Sequence, residues 1–244
     1  MGSLGVLAAF PSIREVQIFE DPLFTPTLYY APPEIVRLPA NISAITIEGD
    51  NALLLPVLLD HPSGVTIPLE TLDIGFIPFN MVHRIYSCLP GLGDFLQHLR
   101  LDITPICTFD HLPSVMQCLN FSQFTRLETL HLRLLGFHDP VGIALQWRVF
   151  SRLISQTPPS LRNIIIAIGT TKAFDEIIAL PWTDVFKTVP AIWRLGTITF
   201  QLEANNFLAG GEIADRAIPL EGKMKDALRT SMKEYHVAGK LRFL

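Results

Sequence analysis

The chain carries seven histidines and three cysteines, the side chains most used to hold metals or move protons. His61, His83, His98, His111, His131, His138 and His236 form no H-E-x-x-H, and none pairs with Cys88, Cys107 or Cys118 at zinc spacing. Asp60-His61, Asp110-His111 and His138-Asp139 fall where helices are expected to start, and there an aspartate serves as an N-cap. Ser63 lies in His-Pro-Ser-Gly, a turn sequence and not a nucleophile elbow. Gly91-Leu-Gly93 lacks the third glycine of a dinucleotide loop, and no Gly-Lys-Ser/Thr follows a glycine cluster. His83 and Cys88 are five residues apart on one expected helix and do not share a face. One catalytic arrangement stays open, a hydrolase site of His98, His131 and Asp102, and it requires these three to converge in space. The expectation is otherwise a chain that is not an enzyme, with no cofactor and no metal.

The elements that would position these residues come from a repeat. The pattern apolar-x-x-apolar-x-apolar starts at Ile13, Ile42, Leu69, Leu96, Leu127, Leu161 and Leu195, with a weaker copy at Ala238. Successive copies start 27 to 43 residues apart. The last two apolar positions of each copy alternate, as a strand with one buried face requires. Helices are expected between the strands, over 51–60, 79–89, 110–124, 139–155, 173–189 and 220–235. Pro56 should kink or shift the first, Pro181 should interrupt the fifth, and Met224, Leu228, Met232 and Tyr235 form one stripe on the last. Trp147, Trp182 and Trp193 fall within or beside helices and are expected to pack in the core or between repeats, not to form a ligand cage.

A unit of strand, turn, helix and return cannot bury its own apolar faces. Stacked with the same hand, such units give one parallel sheet with helices along one side. The expected fold is α/β, a single solenoid domain over residues 1–244 with seven to eight strand–helix repeats. Residues 205–219, with Gly210-Gly211, are expected to be an irregular insertion.

The stretches Leu69-Glu-Thr-Leu-Asp-Ile-Gly75, Leu96-Gln-His-Leu-Arg-Leu-Asp102, Leu127-Glu-Thr-Leu-His-Leu-Arg133 and Gly239-Lys-Leu-Arg-Phe243 resemble leucine-rich repeats. Within that family the chain is most similar to the irregular repeat region of F-box proteins from basidiomycete fungi. The resemblance implies a horseshoe with the parallel sheet on its concave face, and a role in protein–protein interaction such as substrate recognition for a ubiquitin ligase. Two departures stand out. The family's asparagine position holds Ile77, Thr104, Leu135, Gly169 and Glu203, so there is no asparagine ladder. No F-box is present, and Pro33-Glu-Ile-Val is only faintly similar to its opening. A fragment, a paralogue without that module, or a truncated gene product without settled function are the corresponding expectations.

In such a solenoid the residues flanking the buried strand positions line the concave face in columns about 4.8 Å apart from strand to strand. One column reads Thr71, His98, Thr129, Asn163, Thr197, the next Asp73, Arg100, His131, Ile165, Thr199, and the third Gly75, Asp102, Arg133, Ala167, Gln201. The expected partner-binding residues are Asp73, His98, Arg100, Asp102, Thr129, His131, Arg133, Asn163, Thr199 and Gln201. Asp73 beside Arg100, and Asp102 beside Arg133, equally read as cross-strand charge pairs that stabilise the sheet by a few tenths of a kcal/mol each.

Composition narrows the partner. Net charge is −4, which leaves no excess positive charge for phosphate, so no nucleic acid is expected. The basic stretch of Lys223, Lys225, Arg229, Lys233, Lys240 and Arg242 is interleaved with Glu221, Asp226 and Glu234, as on a solvated helix face. No apolar run reaches the roughly 18 residues of a membrane span, so no membrane partner is expected. An unknown protein partner, a monomer or subunit of a larger complex, and a cytoplasmic or nuclear location with reduced cysteines complete the reading.

Overall fold

The computed structural model describes residues 13–18, 41–49, 54–59, 68–77, 79–104, 116–134, 140–169, 174–190, 192–203 and 213–244. Eight strands form one sheet: β1 (Glu15–Ile18), β2 (Ala44–Ile47), β3 (Thr71–Ile74), β4 (His98–Asp102), β5 (Thr129–Leu134), β6 (Asn163–Gly169), β7 (Thr197–Glu203) and β8 (Leu241–Phe243). Each falls on one copy of the sequence repeat. Their order in the sheet is their order in the chain, and every neighbouring pair is parallel. This is the solenoid-like α/β arrangement.

The register follows from the repeat. Val16, Ile45, Leu72, Leu99, Leu130, Ile164, Ile198 and Leu241 stand side by side in one row. All eight are buried, as are Ile47, Ile74, Leu101, Leu132, Ile166 and Phe200 two positions on. A one-residue slip would turn this apolar set to the other face, so the pattern itself locks the pairing.

Strands β1 to β6 begin in the same way. The carbonyl one position before each of them accepts two consecutive backbone N–H groups from the next repeat. Arg14 O takes Ser43 and Ala44, Ser43 O takes Glu70 and Thr71, and Glu70 O takes Gln97 and His98. Gln97 O, Glu128 O and Arg162 O continue the series. Backbone alone supplies this ladder, so the entry to the sheet makes no demand on side-chain type. The exits differ from repeat to repeat, as the missing asparagines require. Gly49 takes φ 68 and donates its N–H to Phe76 O at 2.7 Å. After β4 the Asp102 carboxylate accepts the Thr104 N–H at 2.9 Å.

The helices are α1 (Leu54–Leu59), α2 (Val82–Tyr86), α3 (Pro140–Ser155), α4 (Phe174–Ile178), α5 (Trp182–Phe186), α6 (Ile213–Ser231) and α7 (Lys233–Val237). Buried apolar residues of these helices, among them Leu55, Ile85, Phe150, Trp182, Leu228 and Tyr235, join the buried strand row in one core. The expected break at Pro181 separates α4 from α5. Short 3-10 turns, Phe79–Met81 and Leu89–Leu92, flank α2 in the expected 79–89 segment. Of the expected 110–124 helix, residues 116–118 are helical and Phe121–Gln123 is a 3-10 turn. The Met224, Leu228, Met232 and Tyr235 stripe is buried. Helix α6 starts at Ile213 and not at residue 220, so the end of the expected 205–219 insertion is helical. The rest of that insertion, like the Pro33 segment, lies outside the described residues.

The aromatic core is centred on Trp182. Its ring packs edge-on against Trp147, Phe150 and Phe200, with centroids 4.9, 5.4 and 5.1 Å away. Trp193 departs from expectation. It is 70% exposed, with the Arg194 guanidinium 4.4 Å from its ring centroid.

Candidate binding face

One face of the sheet is committed to the core. The other presents the three expected columns, and pairing places their members side by side: Thr71, His98, Thr129, Asn163, Thr197 in the first, and Asp73, Arg100, His131, Ile165, Thr199 in the second. The third aligns Asp102, Arg133, Ala167 and Gln201.

The middle of this open face is an ionic network. Arg100 Nη1 donates to Asp73 Oδ2 at 3.1 Å, and its Nη2 donates to Glu203 Oε1 at 3.2 Å. Arg133 Nε donates to Glu203 Oε2 at 2.7 Å, and its Nη1 lies 3.8 Å from Asp102 Oδ2. The two expected cross-strand pairs therefore form. Glu203 joins them into one chain of alternating charge across β3, β4, β5 and β7. It stands in the sequence at an expected asparagine position, and that replacement was the available signal for it. Its reach back over β6 is a property of the folded sheet that repeat spacing does not encode.

Burial sorts the ten expected binding residues. His98 is exposed, and Thr129, His131, Asn163 and Gln201 are half-buried. Asp73, Arg100 and Arg133 are partly exposed but occupied by the ionic network. Asp102 is fully buried and Thr199 is 6% exposed, so neither offers surface to a partner. The structure brings the neutral residues together separately. Thr197 donates its hydroxyl to Asn163 Oδ1 at 2.8 Å, and Asn163 Nδ2 donates to the Thr129 hydroxyl at 3.5 Å.

Titration reflects this environment. Burial pushes the Asp73 and Asp102 carboxyls up, against the opposing pull of Arg100 on Asp73 and of the Thr104 hydrogen bonds on Asp102. Burial, then the Arg100 charge, lowers the His131 pKa to about 4. Its imidazole is neutral at pH 7, and its buried Nε2 has no hydrogen-bond partner among the described residues. Burial opposes the charge of Arg133, but Glu203 and Asp102 outweigh it and raise its pKa.

As chemistry, these groups offer paired charges, hydrogen-bond donors and acceptors. Among the described residues no hydrogen bond joins His131 to Asp102 or to His98, and the Asp102 carboxylate is engaged by Thr104 and faces Arg133. Among the described residues no group of three or more His, Cys, Asp or Glu is placed to hold a metal ion, and no helix is long and apolar enough to cross a membrane. The basic side chains of α6 are largely paired, Lys223 with Asp175 at 2.6 Å, Lys225 with Glu221, and Arg229 with Asp226 at 3.6 Å. No protein-family model matches the chain, and no curated protein matches it either.

Proposed function

We propose that the chain is a non-catalytic protein–protein interaction module that docks a protein partner on the open face of its sheet. The observation that carries this reading is the division of labour between the two faces. One is apolar and largely buried, while the other holds mainly polar columns in fixed register with an internally braced centre. Side chains held in place before binding lose less entropy on association. The contact set is His98, Thr129, Asn163 and Gln201, with the outer edges of Arg100 and His131. The leucine-rich-repeat resemblance supports the same role, with an irregular horseshoe whose concave face does the binding and a substrate-recognition part like that of F-box proteins.

Affinity capture followed by mass spectrometry tests it, comparing the native chain with a His98→Asp/Gln201→Lys variant. These two changes spare the ionic network, whereas reversing Arg100 or Arg133 would strand buried carboxylates. Specific partners lost with the variant are the expected result. Partners retained by the variant would move the docking site elsewhere, and the absence of any specific partner would overturn the interaction reading.

A further inference from the structure

Beside the ionic network the open face holds a cavity of about 250 Å³, lined by Gln17, Thr46, Glu48, Asp73, Arg100 and Arg133. That is small for a cofactor or nucleotide, whose sites typically exceed about 300 Å³, and suits a single side chain. Gly75 forms part of its wall, and a Cβ there would stand 3.0 Å from Glu48 Cδ. The missing side chain is what lets Glu48 lie along the sheet.

The charges of the cavity are unequal in availability. Arg100 is held by Asp73 and Glu203, and Arg133 by Glu203 with Asp102 behind it. An anion entering here must displace Glu203 from both guanidinia. Glu48 is in the opposite position. It is close enough to raise the Arg133 pKa, yet no ion pair or hydrogen bond engages its carboxylate among the described residues. Counting the network, four carboxylates (Glu48, Asp73, Asp102, Glu203) surround two guanidinia.

We infer that this cavity receives one basic side chain of a protein partner, an arginine or lysine whose cation sits against Glu48 and Asp73. The Gln17 amide oxygen and the Thr46 hydroxyl offer further acceptors for its N–H groups. The inference rests on the reading of the open face as a docking surface and specifies what that surface selects.

Titration of the full chain with N-acetyl-arginine amide, followed in amide ¹H–¹⁵N spectra, tests it. Saturable shifts at Glu48 and Gly75 are expected, with none from the uncharged isostere N-acetyl-citrulline amide. Glu48→Gln should weaken the response at least fivefold. Gly75→Ala keeps the charge but pushes Glu48 aside, and it should also weaken binding, with a thermal melt showing that both variants fold. Equal response to citrulline, an unchanged response in Glu48→Gln, or shifts at these residues with inorganic phosphate in place of arginine would overturn the inference. Random peptide display separates it from the broader reading. Peptides that need His98 but contain no Arg or Lys would sink the cavity inference and leave docking on the open face standing. Peptides that bind only elsewhere would sink the docking reading, and the arginine titration would still decide the cavity.

Discussion

Glu203 Oε2 accepts a hydrogen bond from Arg133 Nε at 2.7 Å although a whole strand, β6, lies between them. Two strand spacings are about 10 Å of backbone separation. The gap closes because both side chains are long and because β6 places only Ala167 beside Arg133 in that column. The same carboxylate also holds Arg100 on β4, so one residue of β7 ties together strands contributed by residues 70 and 103 positions earlier.

Removing that carboxylate is expected to cost more than removing a neighbouring one. The Glu203 and Arg133 side chains are 13% and 17% exposed, so Glu203→Gln leaves two guanidinia short of a partner in a mostly desolvated site. A loss of about 1–3 kcal/mol is expected. Asp73→Asn breaks a wetter pair, 22% and 34% exposed, and should cost under about 1 kcal/mol. Urea unfolding of both variants measures the difference, and equal losses would show that Glu203 is no keystone of the network.

How much of this was legible beforehand divides by the range of the interaction. Period-two alternation is local, so Leu72 and Ile74, or Leu130 and Leu132, announced both their strands and their buried face. Once eight such copies stack in parallel, neighbours across strands follow from simple alignment, and Asp73 met Arg100 as that alignment requires. Glu203 did not follow, because its partners depend on side-chain reach over a short residue two strands away. Burial of Asp102 was equally hidden. A charged residue in an outward column reads as surface, yet Arg133 and the Thr104 turn cover it. Trp193 erred the other way. Size suggests the core, but its place in a 3-10 turn after α5 leaves it in solvent.

The neutral His131 makes stability depend on pH. Its folded pKa of about 4 lies below the value of 6.5 expected when unfolded, so between these values the unfolded chain binds more protons. Stability contributed by His131 is therefore full above about pH 6.5 and is lost as pH falls toward 4. Discounted for its partial exposure, the loss is about 1–2 kcal/mol. Arg100 and Arg133 oppose the imidazolium and Glu203 favours it. The raised Asp73 and Asp102 act with the opposite sign, since a carboxyl that protonates more readily when folded gains stability as pH falls. Thermal melts from pH 7.5 to 4.5 should show a decline that His131→Gln flattens. A decline of the same slope in the variant would assign it to other groups.

The brace under the open face reaches back to a helix. Tyr86, fully buried in α2, donates its hydroxyl to the Asp102 carbonyl at 3.1 Å. Tyr86→Phe removes one buried hydrogen bond without changing the ring, for an expected loss of about 1–2 kcal/mol. Because the bond ends at the residue beside Arg133, the change should also speed amide hydrogen exchange at residues 102–104. Exchange that accelerates uniformly over the chain would instead mark a purely global effect.

Two glycines of one short turn give opposite expectations. At Gly93 an added Cβ would stand 2.6 Å from the Gln123 carbonyl oxygen, and the Gly93 carbonyl accepts the Thr125 N–H at 3.1 Å. The neighbouring repeat is packed directly on this backbone, so Gly93→Ala must push two chain segments apart. The expected cost is about 1–3 kcal/mol. At Gly91 nothing lies within 4 Å of the added atom. There the methyl only restricts the unfolded chain, and Gly91→Ala should be neutral or stabilise by up to about 1 kcal/mol. Chemical denaturation of the two variants side by side reads this contrast. If both alanines were tolerated, the repeats on either side of this turn would not be in backbone contact, and the stacking that sets the register of β4 against β5 would need another source.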